Sequence, residues 1–322
     1  MTVQLDQRPG LGRLYAKAVA TARGRRGDRL PETSVEMADV TVDREQLASY
    51  AEVCGFRHSD MLPATYPHVL AFPLAVTLMV DPAFPFPLPG LVHVANRITQ
   101  QRTLRADERL TLRVRATDLR PHPRGRQFDM TIEATVAGEP VWAEASTYLR
   151  RERASSKPAS SIPSTASTPS PSGGGQGGGP APTAIWRIPR NIGRRYAAVS
   201  GDVNPIHLNP LAARLFGFRR AIAHGMWLKA RCLAALEGRL ADALAATVEF
   251  KAPLLLPSAV AFSARLGEDG WTIGVSQAAS GKPHLAGRIL DSPSAEVFAH
   301  LRGAGATGAA EPGKTPGILD RP

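Results

Sequence analysis

The sequence of 322 residues predicts an α+β protein built from two similar halves, each one helix followed by a meander of strands. Three observations carry this. First, residues 154–183 are dominated by Ser, Pro, Thr, Ala and Gly and close in a glycine-rich run; that composition cannot bury a core and reads as a flexible linker. Second, the segments on either side repeat one another. Tyr50-Ala-Glu-Val-Cys-Gly55 reads like Tyr196-Ala-Ala-Val-Ser-Gly201, and residues 98–104 occupy the place of residues 248–254. Third, apolar residues alternate at period two in the stretches that follow, in both halves, as half-buried strands require.

The elements follow in chain order. Residues 1–29 form a basic arm carrying Arg8, Arg13, Lys17, Arg23, Arg25 and Arg26, without the apolar core and cleavage site of a secretory signal. Residues 11–22 allow a short amphipathic helix, but the arm is expected to fray. The first body spans residues 30–153, with strands at Leu110–Ala116, Gln127–Val136 and Glu139–Leu149. The second spans residues 184–302. There Asn204-Pro205 and Asn209-Pro210 each pair a good N-cap with a proline suited to the first helical position, and Gly217 reads as a stop. An apolar helix is expected over Met226–Leu236, then strands at Val260–Leu266, Trp271–Gln277 and His284–Ile289. The tail, residues 303–322, is rich in Gly, Ala and Pro without periodicity and is expected to be disordered.

Composition excludes several classes. Each half is long enough to bury its own core. No apolar run reaches transmembrane length, so stable membrane insertion is not expected and a cytoplasmic location is. The only cysteines, Cys54 and Cys232, lie in apolar stretches and read as reduced, buried thiols. No Cys/His spacing suggests a metal site and no glycine-rich cofactor loop follows a strand, so neither metal nor organic cofactor is expected. The net charge of +11 is spread along the chain, and aromatic residues make up only 6%, which argues against nucleic acid. It suits an anionic carrier, or simple solubility.

The chemistry concentrates in Tyr196-Ala-Ala-Val-Ser-Gly-Asp-Val-Asn-Pro-Ile-His207, followed by Ala223-His-Gly-Met226. A carboxylate, Asp202, and an imidazole, His207, flank one helix start, where short-range geometry holds them as an acid–base pair. The turn at Gly225 opens a second helix whose first-turn N–H groups are free to stabilise a developing oxyanion.

These motifs resemble those of the R-specific enoyl-CoA hydratases and MaoC-like (3R)-hydroxyacyl-thioester dehydratases. The similarity is greatest to the actinobacterial two-hotdog type, over residues 30–150 and 184–302. The resemblance implies a double hotdog fold, in which each curled antiparallel sheet wraps a helix, and reversible syn addition of water to a trans-2-enoyl thioester. It assigns Asp202 and His207 as the catalytic pair, Gly225 as the carbonyl-binding backbone donor, and Asn204 as the motif asparagine beside them. Ser200, His224 and Met226 are expected to line the substrate site, with His224 orienting the turn; Lys251 has two readings, a solvated strand lysine, which is favoured, or a contact to a carrier phosphate. The expected partner is an acyl-CoA or acyl-carrier-protein thioester, and a homodimer is possible.

The repeat is unequal where the chemistry sits. Counting from the shared glycine, Phe56 takes the place of Asp202 and Met61 that of His207. Ala71-Phe72-Pro73-Leu74 aligns with Ala223–Met226, so Pro73 is expected to remove the donor N–H. The first half is therefore expected to hold substrate, with Ala75 and Val76 facing an acyl tail. Two rival classes share the same substrate chemistry: a hotdog acyl thioesterase and a non-catalytic acyl-carrier-binding partner.

Overall fold

The computed structural model describes residues 1–21, 25, 27–152, 182–291, 293, 298–299 and 301. The expected linker (but for residues 182–183) and the expected disordered tail lie outside the described residues. The first half contains β1 (Thr2–Gln4), α1 (Leu11–Ala20), β2 (Ser34–Val40), α2 (Arg44–Cys54), α3 (Tyr66–Met79), β3 (Leu91–Gln100), β4 (Leu110–His122), β5 (Gly125–Val136) and β6 (Glu139–Arg151). The second contains β7 (Ala184–Ile188), α4 (Ile192–Ser200), α5 (Pro205–Leu208), α6 (Pro210–Leu215), α7 (Gly225–Ala234), β8 (Leu244–Phe250), β9 (Ser258–Gly267), β10 (Gly270–Gln277) and β11 (Pro283–Asp291).

All the strands join one sheet in the order β1-β2-β4-β5-β6-β3-β8-β11-β10-β9-β7. Read outward from the β3–β8 seam, the two sides have matching connectivity, so the internal repeat is a repeat of topology. The seam is the repeat meeting itself. β3 and β8 are the segments that align in sequence, and they pair antiparallel with Arg97 opposite Thr247, a pair that the alignment also makes equivalent. This is the double hotdog architecture, and its strands alternate as the sequence predicts; along β4, Leu110, Leu112, Val114 and Ala116 face inward.

Each half wraps a helix. In α3 every residue but Thr77 is buried, and in α7 all but Gly225 and Arg231 are, the all-round burial of a central helix; α3 is apolar on every face but for His68 and Thr77, whereas α7 buries Lys229. The repeated Tyr-x-x-x-x-Gly segments occupy equivalent places: α2 and α4 both end at a glycine in the left-handed region, Gly55 at φ +84° and Gly201 at φ +76°. Their tyrosines, Tyr50 and Tyr196, are buried with ring centroids 6.2 Å apart, welding the halves together. Cys54 and Cys232 are buried and free. Among the described residues, no helix is long and apolar enough to cross a membrane.

Two expectations are corrected. The N-terminal arm does not fray over its first twenty residues. β1 pairs parallel with β2 through Thr2↔Ser34 to Gln4↔Glu36, and α1 packs on α3; the apolar stripe of α1, with Ala18 buried, accounts for the docking. Pro73 also lies inside α3 rather than at its start. The counterpart of the Gly225 helix start is Tyr66-Pro67, so the proline that removes a first-turn N–H in this half is Pro67.

Candidate active site

The two asparagine–proline pairs fold as their chemistry dictates. Asn204 accepts from the Ile206 N–H at 3.4 Å and opens α5, and Asn209 accepts from the Leu211 N–H at 2.8 Å and opens α6. Before α5 the chain leaves α4 through Gly201 and turns back on itself. Ser200 Oγ accepts the Asp202 N–H at 3.2 Å, and Asp202 Oδ1 accepts the Asn204 N–H at 3.2 Å. Ser200 thus supports the turn that aims Asp202, and it also lines the cavity of the site. The segment before α7 is pinned on both sides, with Ile222 N–H donating to Ile206 O at 3.1 Å and Ala223 N–H to Leu254 O at 2.9 Å.

These constraints bring Asp202, His207 and His224 together. His207 Nδ1 donates to Ile222 O at 2.8 Å, which leaves its Nε2 lone pair for chemistry. His224 Nε2 donates to Asp202 O at 3.0 Å and lies 3.7 Å from Asp202 Oδ2. The two imidazoles stack with centroids 3.7 Å apart at 26°. His224 thus ties the start of α7 to the turn that carries Asp202. Its Nδ1 is buried without a hydrogen-bond partner.

Electrostatics set useful protonation states. Burial pushes the Asp202 carboxyl up, but the neighbouring His224 and His207 imidazoles, the Asn204 N–H and the Tyr15 hydroxyl outweigh it and hold it below the usual aspartate value. Burial pulls His207 below the ordinary histidine value, opposed by Asp202 and Ile222 O. Burial and then His207 bring His224 down to about 3. At neutral pH the site holds a carboxylate beside two neutral imidazoles. One ligand atom from each lies within 4.8 Å of the others, the donor set a metal ion would use. The hydrogen bond from His224 Nε2 to Asp202 O already commits that nitrogen as a donor.

Gly225 begins α7 after His224, whose side chain makes no capping hydrogen bond, so the first-turn N–H groups have no side-chain cap. The reason for glycine here is space. A Cβ would sit 2.9 Å from two atoms of the Phe250 ring. Gly225, Asn204 and Met226 line a cavity of about 790 Å³ that also receives Asp202, His207 and His224.

Both halves build this cavity. Strand β6 contributes Tyr148, β3 contributes His93, and α3 contributes His68 and Phe72. Ala75 and Val76, expected to meet an acyl tail, are buried in the core instead; the wall-forming face of α3 is His68 and Phe72, one turn earlier. Arg97, Arg120, Arg124, Arg151 and Lys251 add a basic border. Lys251, just past the end of β8, is exposed and ion-paired with Glu249 of that strand. Beneath the cavity lies a buried polar network that no local motif announces. His68 Nδ1 donates to Glu144 at 2.8 Å, Asn96 Nδ2 donates to Glu144 at 2.7 Å, and Lys229 reaches across from α7 to Asn96 and, at 2.8 Å, to Ala246 O. No sequence motif marks His68 or His93 as cavity residues, and none marks Tyr15, which reaches Asp202 from 187 residues away.

The profile of the MaoC-like domain family matches residues 183–280, the half that carries this site. Over 264 residues the chain is 38% identical to 3-hydroxyacyl-thioester dehydratase X of Mycobacterium tuberculosis, covering 82% of this chain and 91% of that protein. The chain belongs to the MaoC-like dehydratase family. The crystal structure of HtdX from the same organism superposes with a TM-score of 0.69 at 36% identity, covering 80% of this chain and 98% of that one. A MaoC-like dehydratase from Phytophthora capsici shares the fold at a TM-score of 0.61 and 17% identity, over 83% of this chain and 97% of its own. Membership of the MaoC-like family thus rests on a relative spanning both halves, and the family profile falls on the half that carries Asp202 and His207.

Proposed function

We propose that the protein reversibly dehydrates (3R)-hydroxyacyl thioesters to trans-2-enoyl thioesters, as a hydro-lyase of fatty acid metabolism. The observation that carries the reading is the juxtaposition, in one cavity, of ionised Asp202, neutral His207 and the uncapped start of α7 at Gly225. Losing water from a 3-hydroxyacyl thioester means taking a weakly acidic proton from C2 and expelling hydroxide from C3. Negative charge gathers on the thioester oxygen, so the Gly225 N–H, fixed beforehand at a helix N-terminus, contributes most in the transition state. Asp202 and His207 share the proton transfers: the pair takes the C2 proton, the C3–O bond breaks, and the pair returns a proton so that the hydroxyl leaves as water. Hydration is the same path reversed. Asn204 and His224 hold the geometry, and Met226 walls the reacting end.

The basic border supports an anionic carrier, coenzyme A or acyl carrier protein, whose phosphate it would attract. Three of these cations are already ion-paired and attract a phosphate less: Lys251 with Glu249, Arg97 with Asp129, and Arg120 with Asp118 and Asp129. The chain is read as a cytoplasmic enzyme that needs no cofactor, and pairing of two copies is open to it through the sheet-edge strands β1 and β7. A thioesterase would use the same cavity and would also polarise the carbonyl. Incubating the purified protein with 3-hydroxybutyryl-CoA separates the two. Appearance of the conjugated enoyl absorbance without free thiol supports dehydration, and stoichiometric thiol release without enoyl product would overturn it.

A further inference from the structure

One side chain at the candidate site has no part in the chemistry described so far. Tyr15, on α1, donates its hydroxyl to Asp202 Oδ1 at 3.2 Å. The segment that carries it is held to both halves. β1 pairs with β2, Arg8 Nη2 donates to Val69 O at 3.1 Å, and Leu11 packs onto Gly201, where an added Cβ would lie 2.2 Å from Leu11 Cδ1. A glycine at Gly201 therefore serves twice: it permits the positive φ that turns the chain toward Asp202, and it leaves the space that α1 fills. The arm rests directly on the turn that carries the carboxylate.

We propose that Tyr15 is a positioning residue of the active site, fixing Asp202 Oδ1 from outside the catalytic half so that Oδ2 is presented to the substrate. The inference rests on the assignment of Asp202 to the acid–base pair. Oδ1 accepts two hydrogen bonds, from the Tyr15 hydroxyl and from the Asn204 N–H, and these come from α1 in the first half and from the turn before α5 in the second. Among the described residues Oδ2 accepts none; His224 Nε2, at 3.7 Å, is engaged with Asp202 O. A carboxylate held by one local donor swings about its terminal torsion, whereas two donors on different elements define its plane. The arrangement matches the outer-shell partners that orient ligating and catalytic groups elsewhere.

Among the described residues, five titratable groups face Asp202. His207 comes from α5, His224 from the start of α7, Tyr196 from α4, Tyr148 from β6 and Tyr15 from α1. Of these, only Tyr15 hydrogen-bonds a carboxylate oxygen. Its phenol is held protonated by burial and by Asp202 itself, so it remains a donor throughout the working range. A donor to the ionised form lowers the carboxyl pKa, so removing it lets Asp202 protonate at higher pH. An activity that needs the carboxylate then loses its acid side earlier.

The test compares full-length wild type, Tyr15→Phe, Asp202→Asn and Lys17→Ala across pH with crotonyl-CoA. Tyr15→Phe removes one oxygen and keeps the ring contacts. Lys17 is exposed on the same helix and serves as the control for a substitution on α1 that leaves the hydroxyl in place. Tyr15→Phe is expected to lose about ten-fold in kcat, with KM little changed, and to move the acid limb of kcat/KM upward by roughly half to one pH unit. Lys17→Ala is expected to follow wild type. A Tyr15→Phe profile that superimposes on wild type while Asp202→Asn is inactive overturns the proposal and leaves the assignment of Asp202 standing. An equal limb shift in Lys17→Ala also overturns it, because a general effect of substitution on α1 and not the hydroxyl would then be responsible. Full activity in Asp202→Asn would instead remove the assignment on which the proposal rests.

Discussion

Gly225 offers a substitution pair that separates what its N–H does from what its missing side chain does. The preceding residue, His224, sits at φ −67° and ψ 137°, the extended conformation that a residue before proline requires. Proline at the first helical position therefore preserves the helix start while removing the N–H. Alanine keeps the N–H. Both add a Cβ, which would lie 2.9 Å from Phe250 Cε2 and Cζ and 3.0 Å from Cε1, so both must displace that ring. His93 backs the ring edge-on at 5.0 Å, which limits how far it can retreat. Overpacking of this kind costs about 1–3 kcal/mol, or roughly ten-fold if most of it falls on the bound state. Loss of an oxyanion donor costs about 10²–10³-fold in kcat. Gly225→Ala should thus lose about ten-fold, and Gly225→Pro a further factor on the order of 10²–10³ beyond it. Hydration of crotonyl-CoA, followed by loss of the conjugated absorbance, measures both, with circular dichroism verifying the fold. Equal activity in folded Ala and Pro variants would show that the N–H makes no contact that matters.

Three further outcomes follow from the same geometry. Asp202→Asn and His207→Gln should each lower kcat/KM by on the order of 10²–10⁴ without changing the unfolding profile, and wild-type activity in either would remove that residue from the pair. Burial brings the buried Lys229 down to about 7, against an ordinary lysine value of 10.5 when unfolded. Between these values the unfolded chain binds the extra proton, so this residue makes stability rise with pH above 7, until the buried thiols, raised in the fold, reverse the trend near the ordinary cysteine value. Lys229→Met should flatten the rise in melting temperature from pH 7 to 8.5; an unchanged slope would contradict the assignment. Phe72→Ala, which opens the cavity wall on α3, should raise kcat/KM for longer enoyl chains relative to crotonyl-CoA, read from the ratio of the two.

Much of this molecule was legible in the sequence because its signals are local. The strands of both halves alternate at period two, and the asparagine–proline pairs cap α5 and α6 as their chemistry dictates. The repeat exposed the two-body plan, and the acid–base motif lies within six residues, so one turn fixes it. What stayed hidden depends on contacts across the fold. Tyr15 reaches Asp202 only because β1 adds to the sheet and Leu11 fits the gap at Gly201, and no neighbour in sequence hints at either. The Glu144–Asn96–Lys229 network joins residues of β6, β3 and α7, so it exists only once the β3–β8 seam has formed. The misplacement of Pro73 has a related cause. Alignment by local resemblance slipped about two turns along α3, because an all-apolar helix carries no periodic mark to fix its register.

The stereochemistry of the hydration product tests the central claim most directly. Crotonyl-CoA incubated with wild-type protein should yield 3-hydroxybutyryl-CoA of (3R) configuration, formed at a rate that Asp202→Asn and His207→Gln abolish. A (3S) product, or (3R) product formed equally well by both variants, would contradict the assignment of the chemistry to this pair.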